Sequence, residues 1–329
     1  MSGVLARGTM GGRPLPGGAR RAWRLAPYGV LLVLALLPLW GDAYLAALFT
    51  QALIYAIFAM SLDLILGYTG LLSFGHAAFF GLGAYGVVVL SVQFGVGLWP
   101  AAALALLIAA GAAAVLGYFC VRISGVAFLM LTMAFAQLLN SAAVTWRGLT
   151  GGTDGLNGAS RPDFLGVSLA DPAAMYWFAL ASFVLAGLFL RHVVRAPLGH
   201  VFVGIRENEA RMLAIGYPVR RYKLASFVLG GLVAGFAGVV FALYNGFVST
   251  DLLDWGTSGD AVLMVVLGGA GTLLGPAVGA FVFLLLREYV SAYTEHWHIV
   301  VGALFILCMM VIPEGIYGTI DRRLRGEDR

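Results

Sequence analysis

The sequence predicts an all-α polytopic membrane protein. About 8–10 transmembrane helices are expected, some of them half-length pieces interrupted by glycine, with both termini cytoplasmic. Three observations carry this. The 329 residues are 61% hydrophobic and only 11% charged, under half the roughly 25% charge of a soluble domain. Runs of about 20 apolar residues recur along almost the whole length, each enough to cross a bilayer as a helix. The basic residues are clustered: Arg7, Arg13, Arg20, Arg21 and Arg24 precede the first apolar run, Arg191, Arg195, Arg206, Arg211, Arg220, Arg221 and Lys223 share one loop, and Arg322, Arg323, Arg325 and Arg329 close the chain. The positive-inside rule puts all three segments in the cytoplasm. The net charge of +4 is therefore a topological signal facing membrane lipid, and no nucleic-acid partner is expected.

Taken in order, residues 1–24 are rich in Gly, Arg and Pro and are expected to be disordered. Residues 25–315 form the transmembrane body and 316–329 a basic cytoplasmic tail. Span one is roughly Leu25–Trp40. It is read as uncleaved, although Gly41-Asp42-Ala43 resembles a cleavage site. Span two is roughly Tyr44–Leu66, and a glycine-rich break separates it from span three, which ends near Phe94. Span four runs from about Pro100 to Val121 and span five from Val126 to Trp146. A polar segment, 147–172, is external. Span six is about Ala173–Leu190, the basic loop 191–223 is cytoplasmic, and span seven is about Leu224–Phe247. An acidic turn with Asp251, Asp254 and Asp260 but no Lys or Arg is again external. The next apolar run, Ala261–Leu286, is interrupted at Gly268–Pro276. Read as two half-length arms that enter from outside and return outside, it lets the last span, His298–Val311, finish in the cytoplasm. Cys120 and Cys308 both lie in or beside apolar runs, so no disulfide framework is implied.

The stretch Gly67–Gly86, GYTGLLSFGHAAFFGLGAYG, organises this reading. Glycine inside a helix costs about 1 kcal/mol relative to alanine. Broken backbone at membrane depth is tolerated only where protein covers it or it lines a watery cavity. Such interruptions are the sequence pointer to a transport path. Gly67, Thr69, Gly70, Ser73, Gly75 and His76 at this break, with Gly268, Gly269, Gly271 and Gly275 at the second, are the expected hinge and path wall. His76 is expected to bond a freed backbone carbonyl, with direct substrate contact as the alternative. Asp63 lies inside an apolar run, near the cytoplasmic end of span two, and is expected to cap the break or to pair with a nearby base rather than to relay protons. Gln137 and Asn140 share a face of span five beside Thr132 and Ser141, where they line a path or bond helices together. In span seven Gly230, Ala234, Gly238 and Ala242 recur every fourth residue, a face for close helix packing inside the bundle or on a partner.

Enzymatic signals are weak. Gly81-Leu-Gly83-Ala-Tyr-Gly86 matches G-x-G-x-x-G but lies in a membrane helix rather than in a βαβ unit. The only lysine, Lys223, follows Tyr222, so there is no phosphate-binding loop of the G-K type. The five histidines show no metal-ligand spacing. No catalytic residue, metal or cofactor is expected on this chain. The loop 191–223 is instead a docking surface. After Pro197 and Gly199 a helical stretch runs to about Ile215 and stops at Gly216 and Pro218. Glu207 and Arg211 are spaced for an i,i+4 pair, and Val201, Ile205 and Met212 share one face.

Four motifs in order, GYTGLLSFGHAAFFGLGAY, LTGGTDGLNG (149–158), GIRENEARMLAIG (204–216) and VVLGGAGTLLGPAVGA (265–280), resemble the permease subunits of branched-chain amino-acid ABC importers, the LivM type more than the LivH type. The resemblance covers roughly residues 44–315. It implies a homologous LivH-like second permease, two cytoplasmic LivG/LivF-like ATPases that hold the ATP and Mg, an extracytoplasmic binding protein, and a bacterial inner-membrane location. It also implies that Gly204, Arg206, Glu207, Glu209, Ala210, Arg211 and Gly216 belong to the loop that couples to an ATPase. Glu209-Ala210 is similar to the start of the EAA loop of ABC permeases, with the glycine one place late. The expected cargo is leucine, isoleucine and valine. A urea or short-amide permease, or an ion-coupled carrier, is the alternative.

Overall fold

The structure is a computed structural model that describes residues 43–294 apart from 159–162 and 165–166, together with Leu34 and parts of 296–319. The expected first span, and all but scattered positions of the last, lie outside the described residues. So do the basic N-terminal segment and most of the tail.

Among the described residues, five helices are long and apolar enough to cross a membrane. Helix α1 (Ala43–Asp63) continues as a π-helical turn, Leu64–Tyr68. Helix α2 (His76–Val92) follows the first break, and α3 (Leu98–Cys120), α4 (Val126–Thr145) and α5 (Pro172–Arg195) come next. Two amphipathic helices, α6 (Pro197–Glu207) and α7 (Glu209–Ala214), lead into α8 (Val219–Asn245). Helices α9 (Trp255–Gly268) and α10 (Gly275–Ser291) flank the second break. The polar segment after α4 forms a one-turn helix, Arg147–Thr150, and short strands, one of which pairs Leu156 with Val248.

The basic loop divides differently from the single helical stretch expected of it. Pro197 opens α6 rather than breaking it, because the first helical position needs no N–H. Asn208 then adopts extended backbone and its side chain accepts from the Arg211 amide at 2.9 Å. That cap ends one helix and starts another, so Glu207 and Arg211 lie on different helices and the i,i+4 pair does not form. Val201 and Ile205 still share a face, packed with Val219 and Met212.

Helix α8 is the packing hub of the bundle. A Cβ on Gly230 would stand 3.0 Å from the Ser61 carbonyl of α1, and one on Gly238 would fall on the Phe80 carbonyl of α2. Gly231 and Gly235 face Ala113 and Ala109 of α3, where a Cβ would meet methyls at 2.5 and 2.6 Å. The small-residue face therefore packs within the bundle, against three helices. Its complement is a second stripe: Ala101, Ala105, Ala109, Ala113, Gly117 and Cys120 are the buried residues along α3. Backbones that approach this closely gain dispersion contacts that bulky side chains would prevent.

The contacts also set direction. Tyr44, at the start of α1, donates to Glu288 near the end of α10 at 2.9 Å. Gly271, at the tip between α9 and α10, meets Asp63 near the other end of α1. Helices α9 and α10 thus form an antiparallel hairpin whose tip lies at the Asp63 end of α1, and α10 runs back alongside α1 toward Tyr44. Fourteen residues at 1.5 Å each span about 21 Å, short of the roughly 30 Å hydrocarbon core. Past the gap in description, Gly315 lies on this same tip: a Cβ there would stand 2.5 Å from the Gly269 Cα.

Candidate functional site: two broken helices joined at one point

The π-turn at the end of α1 puts one extra residue into the helix, a device common where helices do more than pack. Beyond it, Leu71 N–H bonds the Ile65 carbonyl at 3.0 Å and Gly70 N–H the Leu66 carbonyl at 3.1 Å. Thr69 donates to the Leu64 carbonyl at 3.0 Å and shares a 2.8 Å bond with the Ser226 hydroxyl of α8. The donors freed at the start of α2 are met by side chains from elsewhere. Phe74 N–H reaches the Thr132 hydroxyl of α4 at 3.3 Å, Gly75 N–H the Ser73 hydroxyl at 3.3 Å, and Ala77 N–H the Ser258 hydroxyl of α9 at 2.8 Å. Broken backbone in a membrane persists only when such partners satisfy it.

The second break turns on Gly269, Gly271 and Leu273, all at positive φ. Thr272 stitches it, donating to the Gly269 carbonyl at 2.7 Å and accepting from Gly275 N–H at 3.1 Å.

Asp63 joins the two breaks. Its side chain is fully buried. One carboxylate oxygen accepts from Gly271 N–H at 2.6 Å and the other from Leu273 N–H at 3.2 Å. A Cβ on Gly67 would overlap both the Asp63 carboxylate and the Gly271 amide, and one on Gly271, at φ +81°, would stand 2.8 Å from Arg206 Nη1. Only glycine admits these approaches. Arg206, from the last turn of α6, donates to the Gly67 carbonyl, and a Cβ on Gly70 would touch its stem at 3.0 Å. An acid from α1 and a base from the amphipathic loop therefore grip one contact between the interrupted helices. The capping role expected of Asp63 is present, but the break it caps is the second one, more than 200 residues away in sequence.

The other expected residues separate. His76 is buried and stacks on Phe58, with centroids 5.5 Å apart. It does not bond a freed carbonyl: Nε2 lies 2.7 Å from the Ser61 hydroxyl, which spends its one proton on the Phe58 carbonyl at 2.6 Å. His76 thus donates from Nε2, because an intact α1 keeps its carbonyls in helical bonds and leaves only a side chain to accept. Its Nδ1 has no partner among the described residues. Asn140 donates to the Thr250 carbonyl at 3.3 Å, so it bonds elements together, whereas Gln137 is exposed on the outer face of α4. Glu209, in α7, meets Lys223 of α8 at 2.7 Å. Glu207, Ala210 and Arg211 lie away from the breaks on α6 and α7, and Gly204 backs onto Met212. Gly216, at φ +90°, ends the loop. Ser226 and Ser258 are contributors that only the tertiary arrangement singles out, and Thr132, named beside Gln137 and Asn140, serves the first break.

A helical bundle with interrupted spans that meet inside it is the architecture of a membrane transport protein. The chain belongs to the family described as the branched-chain amino acid transport system permease component, which it matches over residues 44–309. It is 29% identical to the high-affinity branched-chain amino acid transport system permease protein LivM of Escherichia coli K12, over 81% of this chain and 68% of that one. It is 28% identical to the autoinducer 2 import system permease protein LsrC of Klebsiella pneumoniae, over 59% and 57%, and 25% identical to a probable LivM of Methanocaldococcus jannaschii, over 49% and 52%. No solved structure matches. The chain is accordingly a multi-pass membrane protein of the permease class.

Proposed function

We propose that this chain is one of two homologous permease subunits of an ATP-binding-cassette importer in a bacterial inner membrane. It forms part of the path for leucine, isoleucine and valine, which an extracytoplasmic binding protein delivers. ATP and Mg are held by two separate cytoplasmic ATPases, to which α6 and α7 couple. The observation that carries this reading is the Arg206 bond to the Gly67 carbonyl. It ties a helix of the basic loop directly to the point where both interrupted spans meet. A push on α6 from below is thereby delivered to backbone that has few helical bonds to lose. Residues 67–75 and 268–275 then act as hinge and path wall, and Asp63 holds them together in the state described. The branched-chain cargo rests on the family and on the LivM relatives.

The test is uptake into proteoliposomes that hold the full set of subunits. Leucine import should require ATP and the binding protein. Import driven by an ion gradient without ATP would overturn the reading, and import of urea in place of leucine would move the cargo assignment.

A further inference from the structure

A separate feature lies at the basic end of the bundle, on the flank of α3 and α8. A groove of about 490 Å³ is lined there by the α3–α4 turn, by Glu209 and Leu213 of α7, and by the first turn of α8. Arg122, Arg220, Arg221 and Lys223 line it, and its one acid is Glu209. Glu209 is already neutralised, since Lys223 holds it at 2.7 Å. The groove therefore carries a surplus of three positive charges, all arginine. Arginine is less strongly hydrated than lysine and its planar fork matches a phosphate.

The groove also sits at a definable depth. Arg122 lies over the Tyr118 ring, 4.3 Å from its centroid. Tyr118 and Phe119 are 51% and 53% exposed. Aromatic residues turned outward at a span end mark the membrane–water interface. One way along α3 and α4 from this level, Val115, Val126 and Met130 present an exposed apolar wall. In the other direction the arginines begin. A bound molecule matching both would have apolar chains against α3 and α4 and an anionic head in the groove.

We propose that this groove binds the phosphate headgroup of an anionic glycerophospholipid from the cytoplasmic leaflet. Basic pockets at the cytoplasmic ends of spans attract such lipids, each basic residue near the surface strengthening binding about fivefold. The site touches neither glycine break, and it shares Glu209 and Leu213 with α7, one of the two helices proposed to couple to an ATPase.

The test is native mass spectrometry of the purified full-length chain released from detergent micelles carrying phosphatidylglycerol or phosphatidylcholine. Phosphatidylglycerol should be retained over phosphatidylcholine, and R122Q/R220Q/R221Q should bind it roughly a hundredfold more weakly, three such factors combined. The charge-preserving R122K/R220K/R221K should bind more weakly than the parent but more tightly than the glutamine variant, since it keeps the charge and loses the planar fork, which separates loss of the site from loss of the fold. R191Q/R195Q, which removes two arginines of the same face outside the groove, should leave it unchanged. An equal loss in R191Q/R195Q would overturn the proposal in favour of diffuse surface attraction. Displacement of the lipid by inorganic phosphate would likewise overturn it, since the apolar wall would then contribute nothing. If the glutamine variant kept its lipid but, when expressed with the other subunits, no longer co-purified with its ATPase, the groove would belong to a protein partner instead.

Discussion

Asp63→Ala is the most informative single change to the joined breaks. The carboxylate accepts two backbone N–H groups, Gly271 at 2.6 Å and Leu273 at 3.2 Å, and is fully buried. Alanine leaves both donors without an acceptor in a site water does not reach. A hydrogen bond to a charged group contributes about 1.5–3 kcal/mol, and an unsatisfied buried donor costs about 1–3 kcal/mol. The two donors share one partner, so their losses do not simply add, and about 3–5 kcal/mol is expected. For a chain of 329 residues, with an unfolding entropy of about 2.1 cal/mol/K per residue, a kilocalorie shifts the melting temperature by about 1.5 °C. Asp63→Ala should thus melt roughly 4–8 °C lower in detergent. Asp63→Asn keeps one acceptor oxygen but turns an NH₂ toward the other donor, and should lose about half as much. The assay is thermal unfolding of the purified chain, followed by size-exclusion recovery. A melting point for Asp63→Ala within about 2 °C of the parent would show that the carboxylate does not hold the breaks together.

Other expectations follow from the same contacts. Gly67→Ala places a methyl on the Asp63 carboxylate and the Gly271 amide, so the inserted protein should lose transport even where it remains soluble in detergent; transport at the parent rate would contradict the close approach. Gly271→Ala adds strain at positive φ to a clash with Arg206, with a cost of at least about 1 kcal/mol read as a lower melting temperature. Glu209→Lys sets two like charges beside one another at α7 and α8. It should abolish ATPase stimulation, and the exchanged pair E209K/K223E should recover part of it; a double variant no better than the single would argue against the ion pair as the element that seats α7.

Much of this arrangement was legible in the chain. Glycines inside apolar runs announced both breaks, and the interruption at Gly268–Pro276 announced that α9 and α10 are separate helices. The alanine stripe of α3 repeats every fourth residue and was equally readable. The division of the basic loop at Asn208 was missed in favour of one helical stretch, although an N-cap residue followed by an acid stands there. What the chain does not display is which partner each freed backbone group takes. Asp63 immediately precedes the π-turn that ends at its own break yet caps the other. Thr132, Ser226 and Ser258 are ordinary hydroxyls in apolar helices until the bundle brings them to a broken end. His76 takes Ser61 because α1 stays intact beside it. Such pairings depend on packing between distant spans, and local pattern has no access to them.

The central claim is that force enters the joined breaks through Arg206. Arg206→Met retains the length of the side chain and removes its bond to the Gly67 carbonyl. In proteoliposomes carrying the assembled transporter, the number of leucine molecules imported per ATP hydrolysed is the direct readout. The account predicts that hydrolysis continues while import per ATP falls at least tenfold, the loss of about 1.4 kcal/mol of coupling. An unchanged ratio in a properly inserted Arg206→Met complex would contradict it.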